Sequence, residues 1–393
     1  MGVLGNRRVL GNSLSPAGNS APGPAKVRLM IGQLGRGGTE KQTVLLASGL
    51  HERGFDVSVL TMFAGGPHEQ ALNDAGVPVV HLGFSTLHTA GGAARNAAAF
   101  ARLVRLLRRD QPEVLHAFLL HSYLVAAPAA RMARLPLLVA GRRSLGDFKQ
   151  ERPMVLRLER LATQGTDLLI ANAHAVARDT RERERVPAEK ISVIYNGLPR
   201  AAFTACPPAR IETRYPVLVC IANLRKYKGH QYLLEAAALL HERGTPCTLV
   251  LAGDGECRPA LERQARQLRL DVRFLGACAE VGPLLARADL VVLPSLHEGM
   301  SNAVMEAMAA GRAVVATNVG GTPELLGDRG ILVPPADAGA LASAIGGLLA
   351  DPVRRASLGA AARRWSSVHL GADAMVEEHI RVYSALLELR CAG

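Results

Sequence analysis

Two glutamates separated by seven residues bracket the stretch of this sequence with the most evident chemistry: Pro294-Ser295-Leu296-His297-Glu298-Gly299-Met300-Ser301-Asn302-Ala303-Val304-Met305-Glu306. It follows an aliphatic run at 289–293 and leads into an apolar helix predicted at 303–310. Ser301 or Asn302 is a natural N-cap. The backbone amides of Gly299, Met300, Ser301 and Asn302 would then stand at a helix N-terminus, where a diphosphate is favoured. A carboxylate in that position repels phosphate. An ionised glutamate, however, only accepts hydrogen bonds and so suits sugar hydroxyls. Glu298 in the loop and Glu306 inside the helix can address different parts of one ligand. A glutamate that merely complements the helix dipole would account for one carboxylate, but not for the glycine, the cap and the second carboxylate together.

Three further constellations stand beside it. Gly32-Gln33-Leu34-Gly35-Arg36-Gly37-Gly38-Thr39-Glu40 lies between a strand and a helix. There it is either a plain tight turn or a place where amides, at Gly37 and Gly38 in particular, approach phosphate. It is not a dinucleotide fingerprint, because counting from Gly35 and Gly37 the third glycine falls on Glu40. Asn223-Leu224-Arg225-Lys226-Tyr227-Lys228-Gly229 places Arg225 and Lys228 in a strand-to-helix loop. Cations there neutralise a leaving diphosphate or are simply solvated. Only six of the 46 basic residues are lysine, which gives each lysine beside a glycine-rich turn extra weight. His116 stands near the end of a predicted strand and is a candidate catalytic group, with His121 and His297 as competitors; a lone histidine is more often structural.

The elements that must hold these residues are short aliphatic runs alternating with helices such as 40–53 and 94–109. Strands are predicted at 27–31, 56–62, 77–82, 113–117, 137–140, 167–171 and 191–195, then at 216–222, 247–252, 271–275, 289–294, 313–317 and 330–333. Near-continuous apolar runs are the mark of parallel strands covered on both faces. Two successive βα series predict an α/β chain of two doubly wound, Rossmann-like domains facing across a cleft. The turn signal Asn196-Gly197 and the prolines at 199, 207, 208 and 216 put the boundary near 196–216. The expected division is a disordered leader over 1–25, a first domain over 26–200 and a second over 201–370.

Composition narrows the rest. The chain has 393 residues, 49% hydrophobic and 20% charged, with a formal charge of +12. It reads as globular and well buried rather than disordered. Six cysteines show no metal-ligand spacing, and several lie in or beside apolar runs, which fits a reducing, cytoplasmic setting. The longest apolar stretch, around 117–130, is too short to span a bilayer. Aromatic residues are 4% and no nucleic-acid motif occurs, so nucleic acid is not an expected partner. In helix 94–109, Arg95, Arg102, Arg105 and Arg109 follow one stripe, and Phe100, Leu103, Val104 and Leu107 another. That pattern suits either an anionic membrane surface at its inner face or packing on the sheet with the arginines solvated.

Taken in order, these segments resemble the family 4 glycosyltransferases of the GT-B fold. Glu298 to Glu306 resembles that family's E-x7-E motif. Gly320-Gly321-Thr322-Pro323-Glu324 and Gly330-Ile331-Leu332-Val333-Pro334 resemble its closing segments, Val193-Ile194-Tyr195-Asn196-Gly197 its hinge and Gly37-Gly38-Thr39-Glu40 its phosphate loop. The resemblance implies a retaining transferase that moves a hexose-type sugar from a nucleotide-diphosphate donor, UDP-sugar favoured and GDP-sugar second. The acceptor would be a lipid-linked, polysaccharide or small-molecule hydroxyl. It implies that Arg225 and Lys228 hold the diphosphate, Glu306 the ribose and Glu298 the sugar hydroxyls. His116 would lie near the reacting sugar, and Gly276-Ala277-Cys278 would meet the base. A carboxyl-terminal helix at about 371–391 would pack back on the first domain. No metal or other cofactor is expected, and no Asp-x-Asp pair occurs. One departure is Ala222-Asn223-Leu224, where many members carry Gly-Arg-Leu, which displaces the arginine to Arg225. The competing readings are a nucleotide-sugar epimerase or hydrolase on the same fold, and a non-enzymatic basic binding protein.

Overall fold

The computed structural model describes residues 25–85, 92–146 and 153–391; all of the expected leader except its last residue lies outside them. Each of the thirteen predicted runs forms a strand. In the first domain these are β1 (Lys26–Ile31), β2 (Asp56–Thr61), β3 (Val79–His81), β4 (Val114–Phe118), β5 (Leu137–Arg142), β6 (Leu168–Ala171) and β7 (Ile191–Val193). In the second they are β8 (Val217–Ile221), β9 (Thr248–Ala252), β10 (Asp271–Gly276), β11 (Leu290–Leu293), β12 (Val314–Thr317) and β13 (Ile331–Val333). Two sheets result, ordered β3-β2-β1-β4-β5-β6-β7 and β10-β9-β8-β11-β12-β13. Every pairing is parallel. Strand order reverses between β1 and β4 and between β8 and β11. Ligands collect at the carboxyl ends beside such reversals.

The helices of the first half are α1 (Gly38–Glu52), α2 (Glu69–Asp74), α3 (Gly92–Asp110), α4 (Leu120–Ala133), α5 (Pro153–Gln164) and α6 (His174–Glu184). Those of the second half are α7 (His230–Glu242), α8 (Arg258–Gln267), α9 (Gly282–Arg287), α10 (Asn302–Ala309), α11 (Thr322–Leu326), α12 (Ala338–Ala350), α13 (Pro352–His369) and α14 (Ala372–Cys391). Strand side chains alternate between two cores. Leu29, Val59, Val114 and Val139 meet α1 and α14, while Met30, Leu60, Leu115 and Leu138 meet α3 and α4. Leu103, Val104 and Leu107 of α3 are buried in the second of these cores, so packing takes most of the apolar stripe expected to serve either packing or a membrane. Cys220 is wholly buried, and burial pushes its thiol up to about 12, as befits a small hydrophobe.

The domains are joined by two adjacent crossings. The Leu198 amide donates to the Leu370 carbonyl (2.7 Å), and the Ala372 amide donates to the Leu198 carbonyl (2.9 Å). Gln42 of α1 grips the first crossing with both ends of its amide: it donates to the Gly197 carbonyl and accepts from the Gly197 amide, each at 2.8 Å. Beyond the second crossing, α14 lies on the first domain. Val376 presses on Gly49, where a Cβ would stand 2.6 Å from its methyl, and Met375, Val382 and Tyr383 complete that domain's core. A further tie comes from Glu324 of α11, whose carboxylate accepts from the amides of His174 (2.8 Å) and Ala175 (2.7 Å). A side chain of one domain thus caps α6 of the other, satisfying amides that have no partner within the helix.

Candidate active site

A cavity of about 900 Å³ opens between the facing carboxyl ends of the two sheets. Its second-domain wall is the loop after β11 and the start of α10. Ser301 is the N-cap, its hydroxyl accepting from the Val304 amide (3.4 Å). Glu298 is 8% exposed; Lys228 donates to its Oε1 at 2.6 Å and the Ser295 hydroxyl donates to the same oxygen at 2.7 Å. Such partners offset the cost of taking a carboxylate so far from water. Gly299 has to be glycine here, because a Cβ would stand 2.3 Å from the Arg143 carbonyl oxygen of the other domain. Its own carbonyl accepts from the Gly321 amide (2.7 Å), which is what the downstream Gly-Gly pair supplies.

The first-domain wall reaches across to meet this one. Lys41 of α1 places its Nζ 3.3 Å from Oε1 of Glu306. Burial raises the Glu306 carboxyl above its ordinary range, and Lys41 pulls it back down. Arg143, just after β5, donates from Nη1 to Asn196 (2.6 Å); Asn196 donates to Asn302 (2.8 Å), and Asn302 donates to the Gly38 carbonyl (3.4 Å). This chain of hydrogen bonds runs along the cleft from one domain into the other and back. Arg143 is 9% exposed, its guanidinium lies 5.3 Å from the Phe118 ring centre, and burial lowers its pKa to about 10. Arg225 is the freer cation, 3.9 Å from Glu256 with its side chain 55% exposed.

The cavity brings together Gly37, Gly38, Arg225, Lys228, Glu298, Gly299, Met300, Ser301, Asn302 and Glu306. Two expected residues are not among those lining it. His116 is wholly buried in β4. Its Nδ1 stands 2.7 Å from the Tyr383 hydroxyl and its ring stacks on Phe118 at 4.1 Å. Burial, with His379 and Arg143 nearby, holds the imidazole well below its ordinary pKa, so it is neutral. Its expected place beside the reacting sugar is therefore corrected. The strand runs on to Phe118, and His116 faces the core under α14. Cys278 is half-buried, with its sulfur 3.6 Å from the Gly276 carbonyl. Lys41 and Arg143 are cavity residues that the motifs did not reveal, and Asn196, read from the sequence as part of the hinge, lines the cavity too. A signal existed for Lys41, a scarce lysine three residues after a glycine pair; for Arg143, one arginine among many, there was none.

Residues 36–201 match the family model described as Glycosyltransferase Family 4, and residues 215–351 match the one described as Glycosyl transferases group 1. The chain is 31% identical to an alpha-D-kanosaminyltransferase of Streptomyces kanamyceticus over 52% of its own length and 56% of that relative's. It is 27% identical to an uncharacterized glycosyltransferase, MJ1607, of Methanocaldococcus jannaschii over 88% of its own length and 93% of that protein's. Among solved structures, Anabaena Alr3699/HepE in complex with UDP-glucose superposes with a TM-score of 0.80 at 25% identity, covering 91% of this chain and 99% of the other. Sucrose-phosphate synthase of Thermosynechococcus elongatus gives 0.76 at 20% identity, covering 93% and 100%.

Proposed function

The chain belongs to glycosyltransferase family 4 and has the GT-B fold, and from that premise we propose that it is a retaining, metal-independent transferase of a hexose-type sugar. The donor is a nucleotide-diphosphate sugar, UDP-linked in the favoured reading and GDP-linked in the second. The acceptor is a hydroxyl of a lipid-linked, polysaccharide or small-molecule substrate. The observation that carries this reading is the pairing in the second-domain wall, where Lys228 and the paired Glu298 adjoin the amides that open α10. The complex of the similar Anabaena protein with UDP-glucose supports a uridine donor.

The donor's diphosphate rests on the amides of Gly299 to Asn302, with Arg225 and Lys228 beside it. Glu306 takes the ribose hydroxyls and Glu298 those of the sugar. Binding at Glu306 displaces Lys41, whose ammonium then faces the diphosphate. The acceptor oxygen attacks the anomeric carbon from the side the diphosphate leaves. The carbon–oxygen bond to phosphate breaks as the new glycosidic bond forms, and the acceptor proton passes to the departing diphosphate oxygen. Positive charge on the sugar and growing negative charge on the leaving group are what the site must stabilise, and preorganised cations and amides serve that end. This route needs no imidazole base, in keeping with the burial of His116.

Thermal shift with UDP, GDP and ADP, each with and without EDTA, tests the donor assignment. Saturation at 100 times the dissociation constant contributes about 2.7 kcal/mol of stability. The expected result is selective stabilisation by UDP that EDTA leaves intact. Stabilisation that vanishes with EDTA overturns metal independence, and no response to any nucleotide overturns the site. Rapid donor consumption without any acceptor would favour the epimerase or hydrolase reading.

A further inference from the structure

A second cavity, of about 630 Å³, lies in the first domain away from the cleft. It is the gap that α3 leaves over the β1–β2–β3 end of the sheet. Leu60, Pro78, Val80 and Leu106 line it with apolar surface, and Arg102, Arg105 and Arg109 line it from α3. The spacing puts these three arginines on one helical stripe. The acids within the cavity are already taken: Asp110 by Arg28 (2.6 Å) and Lys26 (3.9 Å), and Asp56 by Arg28 (3.1 Å). Arg102 donates only to the Leu82 carbonyl (3.3 Å), and no described side chain pairs with Arg105 or Arg109. An apolar groove flanked by uncompensated cations suits an amphiphile with an anionic head.

The helical layer around the groove extends this pattern. Helices α3, α4 and α5 pack side by side, and in the described residues their only acids are Asp110, which is paired, and Glu159, which is buried. Seven arginines on these helices are exposed. Four large apolar side chains stand out from the same layer: Met132 of α4 and Met154, Leu158 and Leu161 of α5, the last three between 50% and 64% exposed. The α5 residues recur at helical spacing on an outer face that is largely exposed. A free anionic amphiphile would account for the groove, but not for an apolar stripe on the next helices.

We infer that the α3–α4–α5 layer is a docking surface for an anionic phospholipid bilayer, with Arg102, Arg105 and Arg109 taking lipid headgroups at the groove and Met154, Leu158 and Leu161 entering the interface. Lysines and arginines near an anionic surface contribute additively, and apolar side chains supply the part of the binding that salt does not screen. The inference adds to the proposed function the place where a lipid-linked acceptor would be met, and it stands without any assumption about the donor.

The test is co-sedimentation of the full chain with phosphatidylcholine vesicles, alone or with about one-third phosphatidylglycerol. Binding is expected only to the anionic vesicles and to weaken as salt rises. The triple variant R102E/R105E/R109E is expected to bind at least about ten-fold more weakly. The control R263E/R266E/R354E, with the same change of net charge on the second domain, is expected to bind far better than the triple variant. L158Q/L161Q is expected to lose the binding that survives high salt. Nucleotide-induced thermal shift should be unchanged in every variant, which separates this inference from the donor assignment and shows that each variant folds. Equal binding to both vesicle types, no binding to either, or equal losses in the triple variant and its control would overturn the inference. So would L158Q/L161Q that changes only the oligomeric state in sedimentation, which would assign the face to a second copy of the chain.

Discussion

The two walls of the cleft are built on different principles. The second-domain wall is nearly contiguous in sequence and satisfies itself: Glu298 finds Ser295 three residues away and Lys228 in the neighbouring loop, and Ser301 caps its own helix. The first-domain wall is assembled from α1, the end of β5 and the hinge, and much of its bonding is spent on the other domain. Lys41 meets Glu306, Asn196 meets Asn302, and the Arg143 carbonyl abuts Gly299. A self-contained wall holds its geometry whatever its partner does. A wall that engages its opposite acquires its geometry only on closure, and it must release those contacts when a ligand arrives.

Substitutions can break this contrast. The largest effect is expected in the self-contained wall: Lys228→Ala strands a buried carboxylate, at a cost of about 3–5 kcal/mol, and should lower kcat/KM by roughly 100-fold or more. Glu298→Ala should mainly lower kcat, whereas Glu306→Ala should raise donor KM by roughly ten-fold or more, corresponding to loss of a charge-assisted hydrogen bond. Steady-state kinetics with the preferred nucleotide sugar checks all three. If Lys41→Ala costs as much as Lys228→Ala, the two walls are not distinct in kind.

A smaller effect sharpens the comparison through pH. Burial raises the Glu306 carboxyl and Lys41 lowers it. Only the ionised form accepts from both ribose hydroxyls, so donor KM should climb as pH falls through the raised pKa. Removing Lys41 raises that pKa further. In Lys41→Ala the climb should therefore begin at a higher pH than in the parent, and a profile that does not move, or moves to lower pH, would show that Lys41 does not govern Glu306. Glu324→Ala removes the interdomain cap on α6, worth about 1 kcal/mol, and should lower Tm by about 2 °C with donor KM little changed. The smallest effect on turnover belongs to His116→Asn: kcat within about three-fold despite a lower Tm, as expected of a buried neutral ring bonded to Tyr383.

Much of this was legible in the chain. Aliphatic runs and turn residues sufficed for both sheets, because a strand buried on two faces leaves an almost unbroken apolar signature. The second-domain wall was legible too, since cap, glycine and carboxylates sit within one loop and helix. Lysine scarcity hinted at Lys41, but its pairing with Glu306, like the contact of the Arg143 carbonyl with Gly299, forms only where the two domains meet, and sequence spacing holds no record of that approach. His116 shows the reverse error. Polarity near a strand end suggested the cleft, but the strand runs on to Phe118 and the return of α14 puts His116 in a core.

The paired crossings at Leu198 and Leu370 have a mechanical meaning. Two bodies joined by one flexible thread can tumble freely; joined by two threads stitched to each other, they retain chiefly a swing about the line of the stitching. The amides of Leu198 and Ala372 are the stitches, and Gln42 fixes one thread to its own domain as a pin fixes a hinge leaf. Any opening of the cleft would then be steered toward one arc, and each closure would return the same atoms of the two walls to the same places.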